Sequence, residues 1–412
     1  MAKARAAGEG TVYRNAKTDR WEGQFSYEDP KTGKKGIRKK FTGATQKEVA
    51  AKGKAFLDGL KEGLLPNAGK MTVWEWLDRW LTDYIKPKVR LKTYEKYETC
   101  LRLYIKPTLG AFVMMRLKAP DVQRVFNEMR SSGGQKGEGL STSTVRGTRR
   151  YFIMAIEKAV RLGYLSRNVV KDTDPPQLIK QPIHPLTKEQ AGALLAAAKE
   201  GEYVYYGLKQ RRKPTPDSNY QQVMAYTAVL LALNTGMRLG EVLGLKWADI
   251  DFKANIVSVQ RALVSTRAKG MIFEEPKTKG SKRKIPIPEK VMEALECYEK
   301  EQQQYSELLG DKFKNKEGLV FANLWGHPLN NSNFTGRYFK KLAAYVGLDK
   351  SFSFHDLRHT HATMLLSKGV NIKVISERLG HCKIQMTLDT YSHLMPDMQE
   401  TAVLALESLN IL

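Results

Sequence analysis

Residues 352–393 read FSFHDLRHTHATMLLSKGVNIKVISERLGHCKIQMTLDTYSH. His355 and Arg358 stand three apart, a spacing that puts both on one face of a helix. His381 follows the Leu379-Gly380 turn, and Tyr391 comes ten residues later inside a short Thr-Leu-Asp-Thr-Tyr segment. Far upstream, Asn234-Thr235-Gly236-Met237-Arg238-Leu239-Gly240-Glu241 sets another arginine after a glycine turn, at the opening of a helix. Glu241, three residues on, shares that face and could orient a cation. Between the two stretches runs a basic segment, Pro276 to Pro286 (PKTKGSKRKIP), which is expected to be a hairpin.

Bulk composition narrows the partner. The chain has 412 residues, which suggests about two to four domains. Apolar residues make up 42%, enough for buried cores, and the net charge is +25. An excess of that size argues for a polyanion, most simply nucleic acid. The three cysteines, Cys100, Cys297 and Cys382, are scattered and odd in number. They form neither a disulfide framework nor a zinc ligand set, which fits a reducing compartment. The sequence shows no apolar run long enough to span a bilayer, and MAKARAAGEG lacks the apolar core of a signal peptide. The expected location is the cytoplasm, with no membrane association.

Read in order, the chain is expected to be multidomain and mainly α, with small antiparallel sheets. Residues 1–66 read as a basic α+β module of three strands and one helix, the helix capped by Thr45. Residues 1–70 hold 16 Lys or Arg against 8 Asp or Glu, and six of those cations lie between Lys31 and Lys40. Lys34, Lys35, Arg38, Lys39 and Lys40 are candidate DNA contacts, since a three-stranded sheet fits a DNA groove; the plainer reading is a solvated, lysine-edged hairpin. Residues 71–170 read as four helices: one from Thr72, one from Leu91 to Tyr104 broken at Ile105–Gly110, one from Pro120, and one capped near Ser141. The last carries Arg146, Arg149 and Arg150, suited to phosphate. Residues 171–185 are proline-rich and aperiodic, as a linker would be. Residues 186–412 read as a mixed, mainly helical domain. In it the strand-like segments Ile256–Val259, Met271–Phe273 and Lys284–Ile287 are expected to share one small sheet. The segment Gly201 to Tyr220 reads as a long surface loop.

In order, Arg, hairpin Lys, His-x-x-Arg, His and Tyr resemble the tyrosine recombinase family of phage and conjugative-transposon integrases. The ordered set runs from Arg238 to Tyr391, and the flanking segments fit as well. The resemblance implies an arm-type DNA-binding module, a helical core-binding domain and a catalytic domain of tyrosine recombinase type, with a linker that lets two domains close on duplex DNA. Its function would be to cleave and rejoin attachment-site DNA through a 3′-phosphotyrosyl intermediate, integrating or excising a mobile element. Tyr391 would be the nucleophile, Arg238 and Arg358 would grip the non-bridging phosphate oxygens, His355 would take the tyrosine proton, and His381 would buttress the phosphate. Lys277 would protonate the leaving 5′-oxygen, with Lys279 as the alternate. Glu241 would stand behind the arginines. The family needs no ATP, metal or other cofactor, because bond energy is stored in the tyrosyl ester. The implied partners are double-stranded DNA, three further protomers in a tetramer, and an excisionase or host DNA-bending factor, in a bacterial cytoplasm. The apolar tail, Thr401 to Leu412, would dock on an adjacent protomer or fold back.

Three other readings compete. A catalytically silent DNA-binding regulator of the same fold would share the charge and layout but not need the intact Arg/His/Tyr set. A type IB-like topoisomerase would use the same tyrosine chemistry without an arm module. His355 and His359, four apart, also imitate a zinc-hydrolase pair. Against the last, Asp356 stands where such a motif has glutamate, and Arg358 would set a positive charge beside the metal.

Overall fold

The computed structural model describes residues 10–28, 34–61, 70–134, 137–178, 183–205, 214–276 and 279–391, with 403, 406 and 407 of the tail. The chain divides into two compact units, Met1–Lys180 and Gln181–Leu412.

The first unit begins with strands β1 (Thr11–Asn15), β2 (Arg20–Tyr27) and β3 (Ile37–Gly43), antiparallel in the order β1-β2-β3. Helix α1 (Gln46–Lys61) starts where Thr45 Oγ1 accepts from the Glu48 amide at 3.2 Å. Alternation then sets which side chains meet α1. Phe25 and Phe41 stand on the covered face with Val49 and Phe56, and a Cβ at Gly53 would fall 2.0 Å from the Phe25 ring, so the helix rests its backbone on that ring.

Next comes α2 (Val73–Arg79), opened by a reciprocal Thr72/Glu75 capping box and continued by a wider turn over Trp80–Ile85. Helix α3 (Leu91–Cys100) continues the same way through Leu101–Ile105 into α4 (Lys106–Leu109). The break expected at Ile105–Gly110 therefore falls later. Pro107 occupies the first turn of α4, where its missing N–H removes little. Helices α5 (Ala119–Ser132) and α6 (Thr142–Arg161) complete the bundle, the latter capped by Ser141. Val73, Trp76, Trp80, Phe126 and Phe152 fill its core, and the Trp76 indole donates to the Ala155 carbonyl at 2.8 Å.

The second unit opens with α7 (Lys188–Glu200), capped by Thr187 and Gln190, then α8 (Pro216–Thr235) and the short α9 (Leu239–Leu243). The loop expected up to Tyr220 is shorter than its sequence suggested, since Thr215, Pro216 and Ser218 start α8. Strands β4 (Ile250–Asp251), β5 (Ile256–Val259), β6 (Ala262–Thr266), β7 (Gly270–Glu274) and β8 (Arg283–Pro286) follow. They form two sheets, not one: β4-β5-β8, and the hairpin β6-β7 turning at Gly270. The basic segment after Pro276 is thus a crossover between β7 and β8, which pair with different strands, and not a self-paired hairpin. Then come α10 (Glu289–Leu309), α11 (Asn331–Phe334), α12 (Lys340–Tyr345), α13 (Phe354–Leu366), α14 (Ile372–Leu379) and α15 (Ile384–Tyr391). No helix among the described residues is long and apolar enough to cross a membrane.

Candidate active site

Two helix ends and one arginine make the site. Helix α8 stops at Gly236 (φ 66°) and α14 at Gly380 (φ 69°), both left-handed, a conformation that glycine reaches without a Cβ penalty. Each helix end leaves carbonyls without intrahelical partners and carries partial negative charge. Cationic and imidazole side chains meet these carbonyls. At the end of α8, His361 Nδ1 donates to Leu233 O (2.7 Å), Arg378 Nη2 to Asn234 O (2.8 Å) and Arg358 Nη1 to Gly236 O (2.9 Å). At the end of α14, Arg358 Nη1 donates to Leu379 O (2.8 Å) and Arg283 Nε to Arg378 O (2.7 Å). One nitrogen of Arg358 thereby binds both helix ends together, and Arg238 and His381 follow those ends in the chain.

Arg358 is only 2% exposed, and its Nη2 is buried with no hydrogen-bond partner. Burial first, then the neighbouring Arg238 charge, lower its proton affinity below the ordinary arginine value. Arg238 caps α9 from outside and remains part-exposed, with Nη1 2.8 Å from Glu241 Oε1. Glu241 is buried and also accepts from Arg238 N (3.0 Å) and Arg283 Nη2 (2.9 Å). Burial alone would raise this carboxyl; Arg283 and Arg238 outweigh it, so its pKa lies below the usual carboxylate value.

His381 Nδ1 is 2.8 Å from Thr387 Oγ1. Burial, then Arg358 and Arg238, hold its pKa down to about 4. His355 lies at the exposed rim, yet the protein packed around it, with His359, Arg358 and Arg238, also lowers it to about 4. Tyr391 is 1% exposed, and burial pushes its phenol up to about 12 against the pull of Arg358. Its hydroxyl lies 2.7 Å from Nδ1 of His359, not on His355, which was the expected proton acceptor.

Arg238, Glu241, His355, Arg358, His381 and Tyr391 therefore share one neighbourhood, each feeling the charge of others in the set. Lys277 lies outside the described residues, and Lys279 sits in the crossover beside it. Sequence reasoning missed Arg283, Arg378 and the contact of His359. The one local signal was the density of basic residues before Pro286, while Arg378 is the single cation in the last turn of α14. Among the described residues no cluster of three or more His, Cys, Asp or Glu could hold a metal ion.

The candidate DNA contacts divide by strand face. In β3, Ile37, Lys39 and Phe41 point to α1 and Arg38 and Lys40 point away. Lys39 Nζ lies 4.3 Å over the Phe56 ring. Lys40 is 2.6 Å from Glu22, the buried carboxylate of the open face, while Lys34, Lys35 and Arg38 are exposed. In α6, Arg146 donates to Pro176 O (2.8 Å), and Arg149 to Thr173 Oγ1 (2.9 Å) and to the Lys171 and Thr173 carbonyls. These two arginines tie residues 171–176 to α6; Arg150 is exposed beside Tyr151.

Residues 185–398 match the phage integrase family, and residues 72–130 match the N-terminal SAM-like domain of phage integrases. The chain belongs to the phage integrase family. A tyrosine recombinase XerC-like protein of Caldanaerobacter subterraneus subsp. tengcongensis is 30% identical over 392 residues, covering 91% of this chain and 93% of that protein. An integrase of Streptomyces ambofaciens is 27% identical over 410 residues, 98% of this chain and 97% of its own. Among solved structures, the Tn1549 transposon integrase in complex with a circular intermediate DNA matches with TM-score 0.60 and 25% identity, over 78% of this chain and 95% of that one. A lambda integrase tetramer bound to a Holliday junction shares the fold, with TM-score 0.51 and 19% identity over 96% and 97%. This integrase is a tyrosine recombinase, an enzyme that cleaves and rejoins DNA.

Proposed function

We propose that the cluster around Arg358 is the seat of the scissile phosphate, where this integrase cuts and rejoins attachment-site DNA through a 3′-phosphotyrosyl intermediate. The observation that carries this is the division of labour within one guanidinium. Nη1 is spent on two helix ends, and Nη2 is a buried donor with nothing to bind. A buried, unpaired charged donor is costly, so its place in the fold calls for an anion that arrives with the substrate. Planar guanidinium groups match phosphate, and fixed cations act most strongly where negative charge develops.

Arg238 supplies the second grip, oriented by Glu241, and the neutral imidazoles of His355 and His381 donate to the phosphate oxygens. Tyr391 Oη attacks phosphorus, the bond to the 5′-oxygen breaks, and that oxygen leaves with a proton from the crossover lysine, Lys277 or Lys279. The 5′-hydroxyl of the exchanged strand then attacks the tyrosyl ester and the phenol is restored. The basic open face of the β1-β2-β3 sheet, carrying Arg38 and Lys40 with Lys34 and Lys35 beyond its edge, takes arm-type DNA. Arg150 adds a phosphate contact on the helical bundle. Four protomers act together on the paired sites, in keeping with the shared fold of the lambda tetramer on a Holliday junction. An excisionase or DNA-bending factor sets direction, in a bacterial cytoplasm.

The test is Tyr391→Phe on a nicked attachment-site duplex. The expected result is loss of the covalent protein–DNA complex with DNA binding retained. A covalent complex that survives the change would remove Tyr391 from the mechanism.

A further inference from the structure

His359 directly follows Arg358 in α13 but has no place in the chemistry above. Its Nδ1 nevertheless lies 2.7 Å from the hydroxyl of Tyr391, with the two rings edge to face at 5.6 Å. Its other near ring is His355, edge-on at 5.0 Å. We propose that His359 is a further catalytic residue: its Nδ1 anchors the Tyr391 phenol before attack and takes the phenolic proton as the oxygen bonds to phosphorus. The inference rests on the reading of Tyr391 as nucleophile.

Geometry comes first. A general base must be within hydrogen-bond reach of the proton it removes. His359 is, and the phenol is 1% exposed, so bulk water has little access to it. The groups facing His359 are His355, Asp356 and Arg358 from its own helix and Tyr391 from α15. Burial and Arg358 hold the imidazole below its ordinary value against the opposing pull of Asp356, and burial keeps the phenol protonated. A neutral acceptor thus meets a neutral donor. In the forward step the O–H bond of Tyr391 breaks and its proton passes to His359 Nδ1. The phenolic oxygen forms the bond to phosphorus, and the 5′-oxygen departs with a proton from the crossover lysine. In the rejoining step the attacking 5′-hydroxyl returns its proton to the crossover lysine, and the departing tyrosinate takes the proton back from His359. No oxidant, reductant or further reactant enters. The sequence marked His359 only through its four-residue spacing from His355, because His355 has the family spacing to Arg358 and the approach of α15 to α13 is a tertiary contact.

The experiment follows single-turnover formation of the covalent complex on a nicked suicide duplex with His359→Asn. The amide oxygen can accept the phenol's hydrogen bond near the Nδ1 position but cannot take its proton. The rate near neutral pH is expected to fall by about 10²–10⁴. It should then climb roughly tenfold per pH unit toward mildly alkaline pH, as hydroxide substitutes for the lost base, while the wild-type rate stays level. A companion reaction separates chemistry from structure. In the Tyr391→Phe background, a 5′-hydroxyl strand attacks a 3′-(p-nitrophenyl) phosphate, whose leaving group departs without a proton. Adding His359→Asn should alter that rate by less than about threefold. A wild-type rate with a level pH profile in His359→Asn overturns the inference. So does an equal loss in both reactions, which would make His359 a purely structural residue. His359→Gln is carried alongside and held to the same outcomes should the shorter amide fail to fold. Tyr391→Phe keeps the two readings apart. An adduct with Tyr391→Phe sinks the nucleophile assignment; its loss there, with His359→Asn behaving as wild type, sinks only the role of His359.

Discussion

Single side chains at this site are defined by which of their atoms are already engaged. His361 shows this best. Its Nδ1 donates to Leu233 O, so Nε2 carries the lone pair, and Arg378 Nε donates to it at 3.2 Å. A doubly protonated ring would set N–H against N–H, and burial with the nearby arginines holds its pKa to about 4 against the ordinary 6.5. Between those values the unfolded chain binds a proton that the folded chain refuses. Stability therefore rises with pH across this window and is lost as pH falls through it, by about 1.4 kcal/mol per pH unit for one such group. His361→Gln can keep both hydrogen bonds without titrating. It is expected to flatten the fall of the urea midpoint between pH 6.5 and pH 5 by close to one proton's share. An unchanged slope would place the acid sensitivity on His355, His359 or His381 instead.

At the scale of elements, the active site is a junction of helix termini, so its precision depends on how closely α8, α13 and α14 approach. A Cβ at Gly236 would lie 2.6 Å from Leu379 Cδ2 and 2.8 Å from His361 Cδ2, at a φ of 66°. Gly236→Ala therefore meets left-handed strain and overpacking together, and is expected to cost about 2–4 kcal/mol. Because Gly236 O and Leu379 O both hold Arg358, and Arg238 follows Gly236 by two residues, covalent-complex formation should fall more than DNA affinity does. Gly192→Ala in α7, where nothing lies within 4 Å, is the control and should be neutral or slightly stabilising. Equal behaviour of the two variants in thermal melts would refute the tight-junction account. What the sequence showed of this region was its local part: the His355–Arg358 spacing, the glycine before Arg238, and the integrase-type order of residues. The carbonyl contacts of Arg358, Arg283 and Arg378 join residues roughly 20 to 140 positions apart and leave no periodic trace. The crossover at Lys279 read as a hairpin because strand alternation marks where a strand lies but not which strand it pairs with.

Over the whole chain, a net charge of +25 makes DNA affinity fall as salt rises, since each neutralised phosphate releases counterions. Charge count alone would weigh every lysine of the N-terminal module equally; the sheet does not. Lys39 stands on the α1 side against Phe56, where burial lowers its pKa, whereas Arg38 and Lys40 stand on the open face. Lys40 also pairs with Glu22, which Tyr13 and Asn15 bond as well, so part of its charge is already answered within the fold. Arg38→Ala should therefore reduce the slope of log affinity against log salt by about 0.9, one phosphate contact. Lys40→Ala should reduce it by less, because Glu22 already answers part of the Lys40 charge within the fold. Lys39→Ala should leave the slope alone while lowering thermal stability by about 0.5–1 kcal/mol through the lost contact over Phe56. The measurement is duplex-DNA binding by the full chain across a salt series, with a melt for each variant. A slope change for Lys39→Ala matching that of Arg38→Ala would show that the module meets DNA through a face other than the open one.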